Sequence, residues 1–150
     1  MYAKRSSGFT LIEIMIVVVI LAVLAATIVP QFSTSISDSK VSAMQTNLQS
    51  LRNQIQLYAL EHNSTYPTIT SGSLPQLTST TNAAGTVGTG TSYPYGPYVQ
   101  TQIPINPVDG NSTVTATTVF PPTAQTGAGG WLYDVTTGQI APNDTAYLNY

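Results

Sequence analysis

The strongest pattern in the chain is an unbroken apolar block that begins at Phe9 and ends at Val29. Its 21 positions include only Thr10, Glu13 and Thr27 as polar residues. An α-helix rises about 1.5 Å per residue, so this block spans roughly 31 Å, which is enough to cross the hydrocarbon core of a bilayer. The pattern therefore predicts a helix that lipid or other protein must cover.

A periodic pattern replaces the continuous one after Pro30. Apolar residues recur at spacings of three and four, separated by mostly uncharged polar residues, which predicts a helix with one buried face. We expect this face to pack on the chain's own C-terminal part; a coiled-coil dimer is the alternative. Asn63 tolerates the left-handed conformation at a helix end, and Pro67 prevents continuation soon after it. One helix is therefore predicted from about Phe9 to His62, with a bend or local unwinding at Pro30. The apolar stripe comprises Val41, Met44, Leu48, Leu51, Ile55 and Tyr58.

Glycine and proline divide the rest of the chain into short pieces. Residues 63–97 are predicted to form a variable loop; within it, residues 78–97 have little to bury, so we expect mobility or contact between molecules there. Runs of β-branched and aromatic residues predict strands at 98–103, 113–120 and 131–135, and a turn then leads into a C-terminal hairpin strand. The expected fold is α+β, with a small antiparallel β-sheet packed on the long helix.

The composition excludes several functions. Of the 150 residues only 7% are charged, the formal net charge is −2, and there is no cysteine. Without a basic patch, nucleic acid is not expected as the main ligand, and without thiols there is no disulfide and no thiolate zinc site. Motifs typical of nucleotide binding or hydrolysis are absent from the sequence, so we expect no enzymatic activity. The single histidine, His62, is expected to be solvated at the helix end.

The residues before the apolar block are few, polar and basic. Lys4 and Arg5 keep this end in the cytoplasm by the positive-inside rule, so the rest of the chain is expected to be exported. A secretory signal peptide cleaved after Ala25 and a simple membrane anchor are alternatives. Glu13 argues against both, because an acid in a span costs about 2.5–3.5 kcal/mol near the middle and somewhat less near an end, and it requires a partner.

The segment from Gly8 to Met15, which reads GFTLIEIM after a short basic leader, resembles the processing site of type IV pilins and of type II secretion pseudopilins. The resemblance implies that a prepilin peptidase cleaves between Gly8 and Phe9 and that the new N-terminus is methylated. Glu13 then becomes the fifth residue, where the family has its glutamate, and Pro30 falls where many members have a helix-loosening proline. A buried carboxylate needs a partner, and the Phe9 ammonium of a neighbouring subunit is suitable.

Later segments resemble the same family less specifically. Many pilins close their C-terminal region with a disulfide, which this chain cannot form, so the comparison favours a major-pseudopilin-like protein of type II secretion. The resemblance implies a pilin-like fold with a leader (1–8), a transmembrane or filament-core helix (9–30) and a head (31–150). Within the head lie an amphipathic helix (31–62), the variable loop (63–97) and the small β-sheet (98–150).

The resemblance also implies a calcium site in the C-terminal loop. The candidate ligands are Asp109, Asp134 and Asp144, which are scattered along the sequence. Calcium takes six to eight oxygen ligands, usually with several carboxylates close together, so three separate aspartates supply few of them. We therefore expect Asp109 and Asp144 to form turns and the protein to need no cofactor, with calcium as the alternative.

These observations lead to an expected function. The chain is predicted to be a structural subunit that is anchored in the inner membrane with its head outside the cytoplasm, and that polymerises into a helical filament in the periplasm or beyond. Its expected partners are the prepilin peptidase, the lipid bilayer before assembly, an inner-membrane assembly platform and other copies of itself. One alternative is a type IV pilus subunit for adhesion, motility or DNA uptake. Another is a membrane-tethered periplasmic binding module that does not polymerise.

Overall fold

The computed structural model describes residues 8–150, apart from the side chains of residues 29 and 30. The leader residues before Gly8, with Lys4 and Arg5, lie outside the described residues. The elements are α1 (Leu11–Glu61), α2 (Pro75–Thr78), β1 (Val114–Ala116), β2 (Trp131–Asp134) and β3 (Gln139–Pro142). The chain divides into two units, of which the first ends at Ser39 and the second is Lys40–Tyr150.

The long helix that the sequence predicts is confirmed. Helical backbone continues from Leu11 through Pro30 to Glu61, a length of 51 residues. At its C-terminal end Asn63 adopts the left-handed conformation, with φ of 53°, and the N–H of Ser64 donates to the carbonyl oxygen of Ala59 at 2.8 Å. A left-handed residue followed by such a back-directed hydrogen bond is a common way to end a helix.

The side chains of the first unit are not buried by other residues of that unit. Every described side chain from Phe9 to Ile28 and from Gln31 to Ser39 is exposed, and most of those before residue 29 are large and apolar. This part of α1 is long and apolar enough to cross a membrane. In length and in apolar character it matches the span that the sequence predicts.

The apolar stripe of α1 forms the core of the second unit, as predicted. Five of its six members, beginning with Met44, are at most 2% exposed, and Val41 packs beside them. Because the covering residues belong to the same chain, the coiled-coil alternative is not needed to explain the stripe. The buried residues that pack on it are Leu74, Leu77, Ile103, Val114, Trp131, Tyr133 and Ile140.

The sheet is mixed, so the expectation of a fully antiparallel sheet is wrong. β2 and β3 form the predicted antiparallel hairpin, with Asp134 opposite Gln139. β1 instead runs parallel to β2, with Val114 opposite Trp131. Parallel strands require a connection that returns the chain to the end of the sheet where the first strand began. Residues 117–130 form this connection without a helix.

The strand predicted at 98–103 is absent from the described structure. The backbone N–H groups of Tyr98 and Val99 both donate to the carbonyl oxygen of Leu77, each at 2.8 Å, and so are not available to a sheet. Ile103 does reach the core. A run of aromatic and β-branched residues here fills the core in an irregular backbone conformation rather than as a strand.

Most of residues 78–97 are exposed or half-buried, as predicted, but the segment does make specific contacts. Thr81 is fully buried, and it pairs with Val87 and with Tyr95 in isolated β-bridges. Gly85, with φ of +76°, lies so close to Tyr58 that an added Cβ would be 2.4 Å from the phenol oxygen. This segment is therefore packed against the C-terminal end of α1.

Candidate functional site

The predicted processing site lies at the start of the described structure, just before α1. Gly8, Phe9 and Thr10 are not helical, and the helix begins at Leu11. Phe9 is 78% exposed, and a Cβ added to Gly8 would meet no described atom within 4 Å. The bond between Gly8 and Phe9 therefore lies outside the helix.

Glu13 has a local partner that the sequence argument missed. The backbone N–H of Thr10 donates to the Glu13 carboxylate at 3.4 Å, and the backbone N–H of Glu13 donates to the Thr10 hydroxyl oxygen at 3.3 Å. This reciprocal pair is a capping box, in which two side chains satisfy N–H groups of the first helical turn. The signal was present in the sequence, because Thr10 and Glu13 have the Thr-x-x-Glu spacing of that motif.

The hydrogen bonds of the capping box do not involve the peptide bond that processing would cut. Cleavage after Gly8 would leave the peptide bond between Phe9 and Thr10 intact, so the Thr10 N–H would still be a donor. Only the amine of Phe9 would be new. Glu13 can therefore cap its own helix whether or not the bond before Phe9 is cut.

The three aspartates proposed for calcium lie in separate turns. Asp109 accepts from the N–H of Asn111 at 2.8 Å, Asp134 from the N–H of Thr136 at 2.8 Å, and Asp144 from the N–H of Ala146 at 2.9 Å. Among residues 8–150 no three acidic or histidine side chains come together in a way that could hold a metal ion. The three aspartates therefore do not fit one calcium ion.

The turn between β2 and β3 is closed by hydrogen bonds to Asp134. The Thr136 N–H holds the pKa of Asp134 below its usual value; burial acts in the opposite direction, and the Thr137 hydroxyl, which donates to the other carboxylate oxygen at 2.8 Å, adds to the lowering. Hydrogen bonds to a carboxylate favour its charged form. Asp134 is thus an ionised turn residue whose oxygens are already occupied.

His62 is buried, which corrects the expectation of a solvated residue. It is only 3% exposed, and its Nε2 atom lies 3.0 Å from both the Thr81 hydroxyl oxygen and the Asn82 carbonyl oxygen. Nearby, the Tyr98 hydroxyl donates to the Glu61 carboxylate, and burial together with this hydrogen bond raises the pKa of Tyr98. These residues join the end of α1 to the segment 78–98 and form no recognisable catalytic arrangement.

A cleft of about 390 Å³ lies in the second unit beside Arg52. Two guanidinium nitrogens of Arg52 donate to the carbonyl oxygen of Ile140, at 3.1 and 3.3 Å, and one of them also donates to the carbonyl oxygen of Tyr150. Burial lowers the pKa of Arg52. Its donors are therefore used to hold β3 and the last residues against α1.

Comparison with known proteins adds to this geometry. Residues 3–29 match the family model of the prokaryotic N-terminal methylation motif, and residues 31–117 match that of type II secretion system protein G. The second match covers more than half of the chain. The chain belongs to the type II secretion system protein G family. The methylation-motif match covers the apolar part of α1, and the protein G match covers the rest of α1 and the chain as far as β1.

Individual relatives agree with this assignment. The type II secretion system core protein G of Klebsiella pneumoniae is 34% identical over 104 residues, which are 69% of this chain and 70% of that protein. The core protein G of Pseudomonas aeruginosa is 40% identical over 72 residues, or 48% of this chain and 50% of the relative. The type IV major pilin PilA of Myxococcus xanthus is 51% identical over 50 residues, which are 33% of this chain and 23% of the pilin.

The extent of these matches is limited. The chain spans about half the length of the first curated relatives it matches, at 50% of the Pseudomonas aeruginosa protein and 53% of its Vibrio cholerae counterpart. No solved structure matches the chain.

Proposed function

We propose that this protein is a structural, non-enzymatic subunit of a pilin-like filament, and that it serves as a major-pseudopilin-like component of a type II secretion system. The observation that carries the proposal is the apolar surface of α1, from Phe9 to Ile28, which the first unit does not cover. It lies within the methylation-motif match at residues 3–29, and the protein G match at residues 31–117 follows it along the chain. An uncovered helix of this kind requires lipid or other subunits around it.

The first proposed partner is a prepilin peptidase that cuts between Gly8 and Phe9. The cut would place an ammonium group two residues before the first helical residue, where the helix dipole is positive. A cation there is unfavourable unless a carboxylate is near. Glu13 of a neighbouring subunit supplies one, and this pairing would fix the axial register of the filament.

The bilayer is the proposed environment before assembly. The apolar part of α1 would span the inner membrane, with the second unit outside the cytoplasm, and an assembly platform in that membrane would transfer the subunit to the filament. An apolar helix in lipid has no loss of hydrophobic burial when it moves into a helical bundle, so the transfer depends on packing and on polar contacts such as that of Glu13.

A type IV pilus subunit is the second candidate. It is favoured by the similarity to the Myxococcus xanthus and Dichelobacter nodosus pilins, which extends over 33% and 36% of this chain. The protein G match is longer, at residues 31–117, and it includes the apolar stripe of α1. For that reason we place the pseudopilin function first.

Processing provides the direct test. The full chain is produced in cells with an active prepilin peptidase and in cells with an inactive one, and its start is read by N-terminal sequencing and intact mass. We expect a methylated Phe9 terminus in the first case only. A start near Ala26 would indicate a secretory signal peptide, and retention of Gly8 in both cells would indicate a simple anchor; either result contradicts the proposal.

A second measurement separates the two candidate functions. Deleting the gene should abolish secretion of folded proteins across the outer membrane if the subunit belongs to a secretion system. Loss of surface fibres, of attachment or of DNA uptake with secretion unchanged would instead assign it to a type IV pilus.

A further inference from the structure

The glycine-rich segment between β1 and β2, residues 126–130, is held in place by side chains from other parts of the second unit. Its sequence is Thr-Gly-Ala-Gly-Gly, so it has almost no side chains of its own with which to pack. Four polar residues bond directly to its backbone: Asn106, Asp109, Asn111 and Asn143. Asn106 and Asn143 are fully buried.

Asn143 makes the largest number of these bonds. Its side-chain oxygen accepts from the N–H of Thr126 at 2.9 Å, and its side-chain NH₂ donates to the carbonyl oxygens of Thr126 and, at 3.1 Å, of Gly129. Only one orientation of the amide satisfies all three, because the reverse orientation would set its oxygen against two carbonyl oxygens. The NH₂ group therefore lies between carbonyl oxygens that would otherwise be left without donors.

The other three side chains complete the arrangement at the second half of the segment. Asp109 accepts from the N–H of Gly130 at 2.6 Å, and Asn106 donates to the carbonyl oxygen of Gly130 at 3.2 Å. Asn111 donates to the carbonyl oxygen of Ala128 at 2.9 Å. Gly130 must be glycine, since its φ is +82° and an added Cβ would lie 2.3 Å from the Thr113 carbonyl oxygen.

We infer that these amide side chains hold the segment 126–130 in place of a metal ion, and that the second unit folds and stays folded without calcium. A cation would bind the free oxygens of a loop; here the carbonyl oxygens of Thr126, Ala128, Gly129 and Gly130 are bound by amide nitrogens. The carboxylates of Asp109, Asp134 and Asp144 are bound by backbone N–H groups in separate turns. No oxygen-rich site is left for calcium among the three candidates. This inference concerns the second unit alone and holds whether or not the subunit polymerises.

The first test uses the full chain in detergent micelles. The only tryptophan, Trp131, is fully buried in the core, so its fluorescence reports unfolding of the second unit. Thermal unfolding is recorded in excess EGTA and in about 5 mM calcium, well above the roughly 0.1–1 mM at which extracellular modules bind this ion. We expect midpoints that agree within about 1 °C, because a ligand raises the midpoint only when it binds the native state. A calcium-dependent rise of several degrees would overturn the inference.

The second test asks whether the amide is the closing group. Asn143→Asp keeps the size and the acceptor for the Thr126 N–H, but it replaces the NH₂ donor with an oxygen that faces two carbonyl oxygens. In EGTA we expect the midpoint to fall by about 5 °C or more. The matched control is Asn149→Asp, at an exposed residue, which should leave the midpoint within about 1 °C of wild type. If Asn143→Asp were as stable as the control, the amide would not close the segment and the inference would be wrong.

Discussion

The imidazole ring of His62 stacks on the phenol ring of Tyr58, with ring centroids 3.9 Å apart and the two planes only 8° from parallel. The Nδ1 atom lies 2.9 Å from the carbonyl oxygen of Tyr58, and the opposite edge of the ring contacts Thr81 and Asn82. One side chain at the end of α1 thus connects the core helix to the segment 78–98. The order of that segment should depend on it.

Replacing His62 with alanine should release this segment. The variant removes a buried aromatic contact and the imidazole that contacts the Thr81 hydroxyl and the Asn82 carbonyl oxygen, so we expect the free energy of unfolding to fall by about 2–3 kcal/mol. Hydrogen exchange of the Thr81 N–H, which donates to the Tyr95 carbonyl oxygen at 2.9 Å, should become faster. Asn53→Ala, at an exposed position on the same helix, is the control. Unchanged exchange at Thr81 would show that the segment holds itself.

Periodicity made part of this fold predictable. The stripe that begins at Val41 keeps its three-four spacing for five turns, and any helix with that pattern must bury the face. The antiparallel hairpin of β2 and β3 was predictable too, because Thr136, Thr137 and Gly138 supply turn residues between two short apolar runs.

Contacts between residues far apart in sequence account for what was missed. His62 is buried by Thr81 and Asn82, and nothing near it in the sequence marks those residues as partners. The parallel pairing of β1 with β2 depends on the segment 126–130, which is positioned by Asn143 from beyond β3. The Thr10–Glu13 capping box is different, because it is a local contact that the Thr-x-x-Glu spacing predicts. The apolar surroundings of Glu13 instead predict a partner in another subunit.

The packing of α1 can be tested by making the same substitution, leucine to alanine, at a buried and at an exposed position of the helix. Leu51 is fully buried and Leu60 is 81% exposed, although both are leucines in the same half of the same helix. Leu51→Ala should lower the free energy of unfolding by about 2–5 kcal/mol, because it removes buried methyl groups and leaves a cavity. Leu60→Ala should change it by no more than about 0.5 kcal/mol. Denaturant titration followed by Trp131 fluorescence measures both. Equal effects would mean that the stripe is not the core face.

Asp134 should contribute to the loss of stability in acid. Its pKa is lowered in the folded chain, chiefly by the Thr136 N–H, so its stabilising contribution is present above the ordinary aspartate value of about 3.9 and is lost as the pH falls through the lowered folded value. Asp134→Asn keeps the acceptor for Thr136 but does not titrate, so its stability should fall less steeply below about pH 4 than that of wild type. Thr137→Val removes one donor to the carboxylate, so the pH dependence of its stability should be intermediate between those of wild type and Asp134→Asn. Identical pH slopes for all three would exclude Asp134 as a source of the acid sensitivity.

Glu13 combines a local contact with a proposed intermolecular one, and the two require different parts of the side chain. The capping box needs only an acceptor for the Thr10 N–H. Pairing with the Phe9 ammonium of another subunit needs a negative charge. Substitutions that remove the charge alone, or the whole carboxylate, can therefore tell the two contacts apart.

Glu13→Ala and Glu13→Gln should both be inserted and cleaved normally, because removing a charge from an apolar span makes insertion easier. Both should then fail to polymerise or lose the filament register, since breaking one side of a buried ion pair typically costs about 3–5 kcal/mol at each junction. Membrane fractionation, N-terminal sequencing and electron microscopy of sheared filaments measure the three steps. Assembly of Glu13→Gln but not of Glu13→Ala would assign the effect to the capping box, and Thr10→Ala should then fail as well. Normal filaments from both Glu13 variants would remove Glu13 as the assembly determinant and would favour the membrane-tethered binding module, because the one charged group in the apolar span would then have no role in joining subunits.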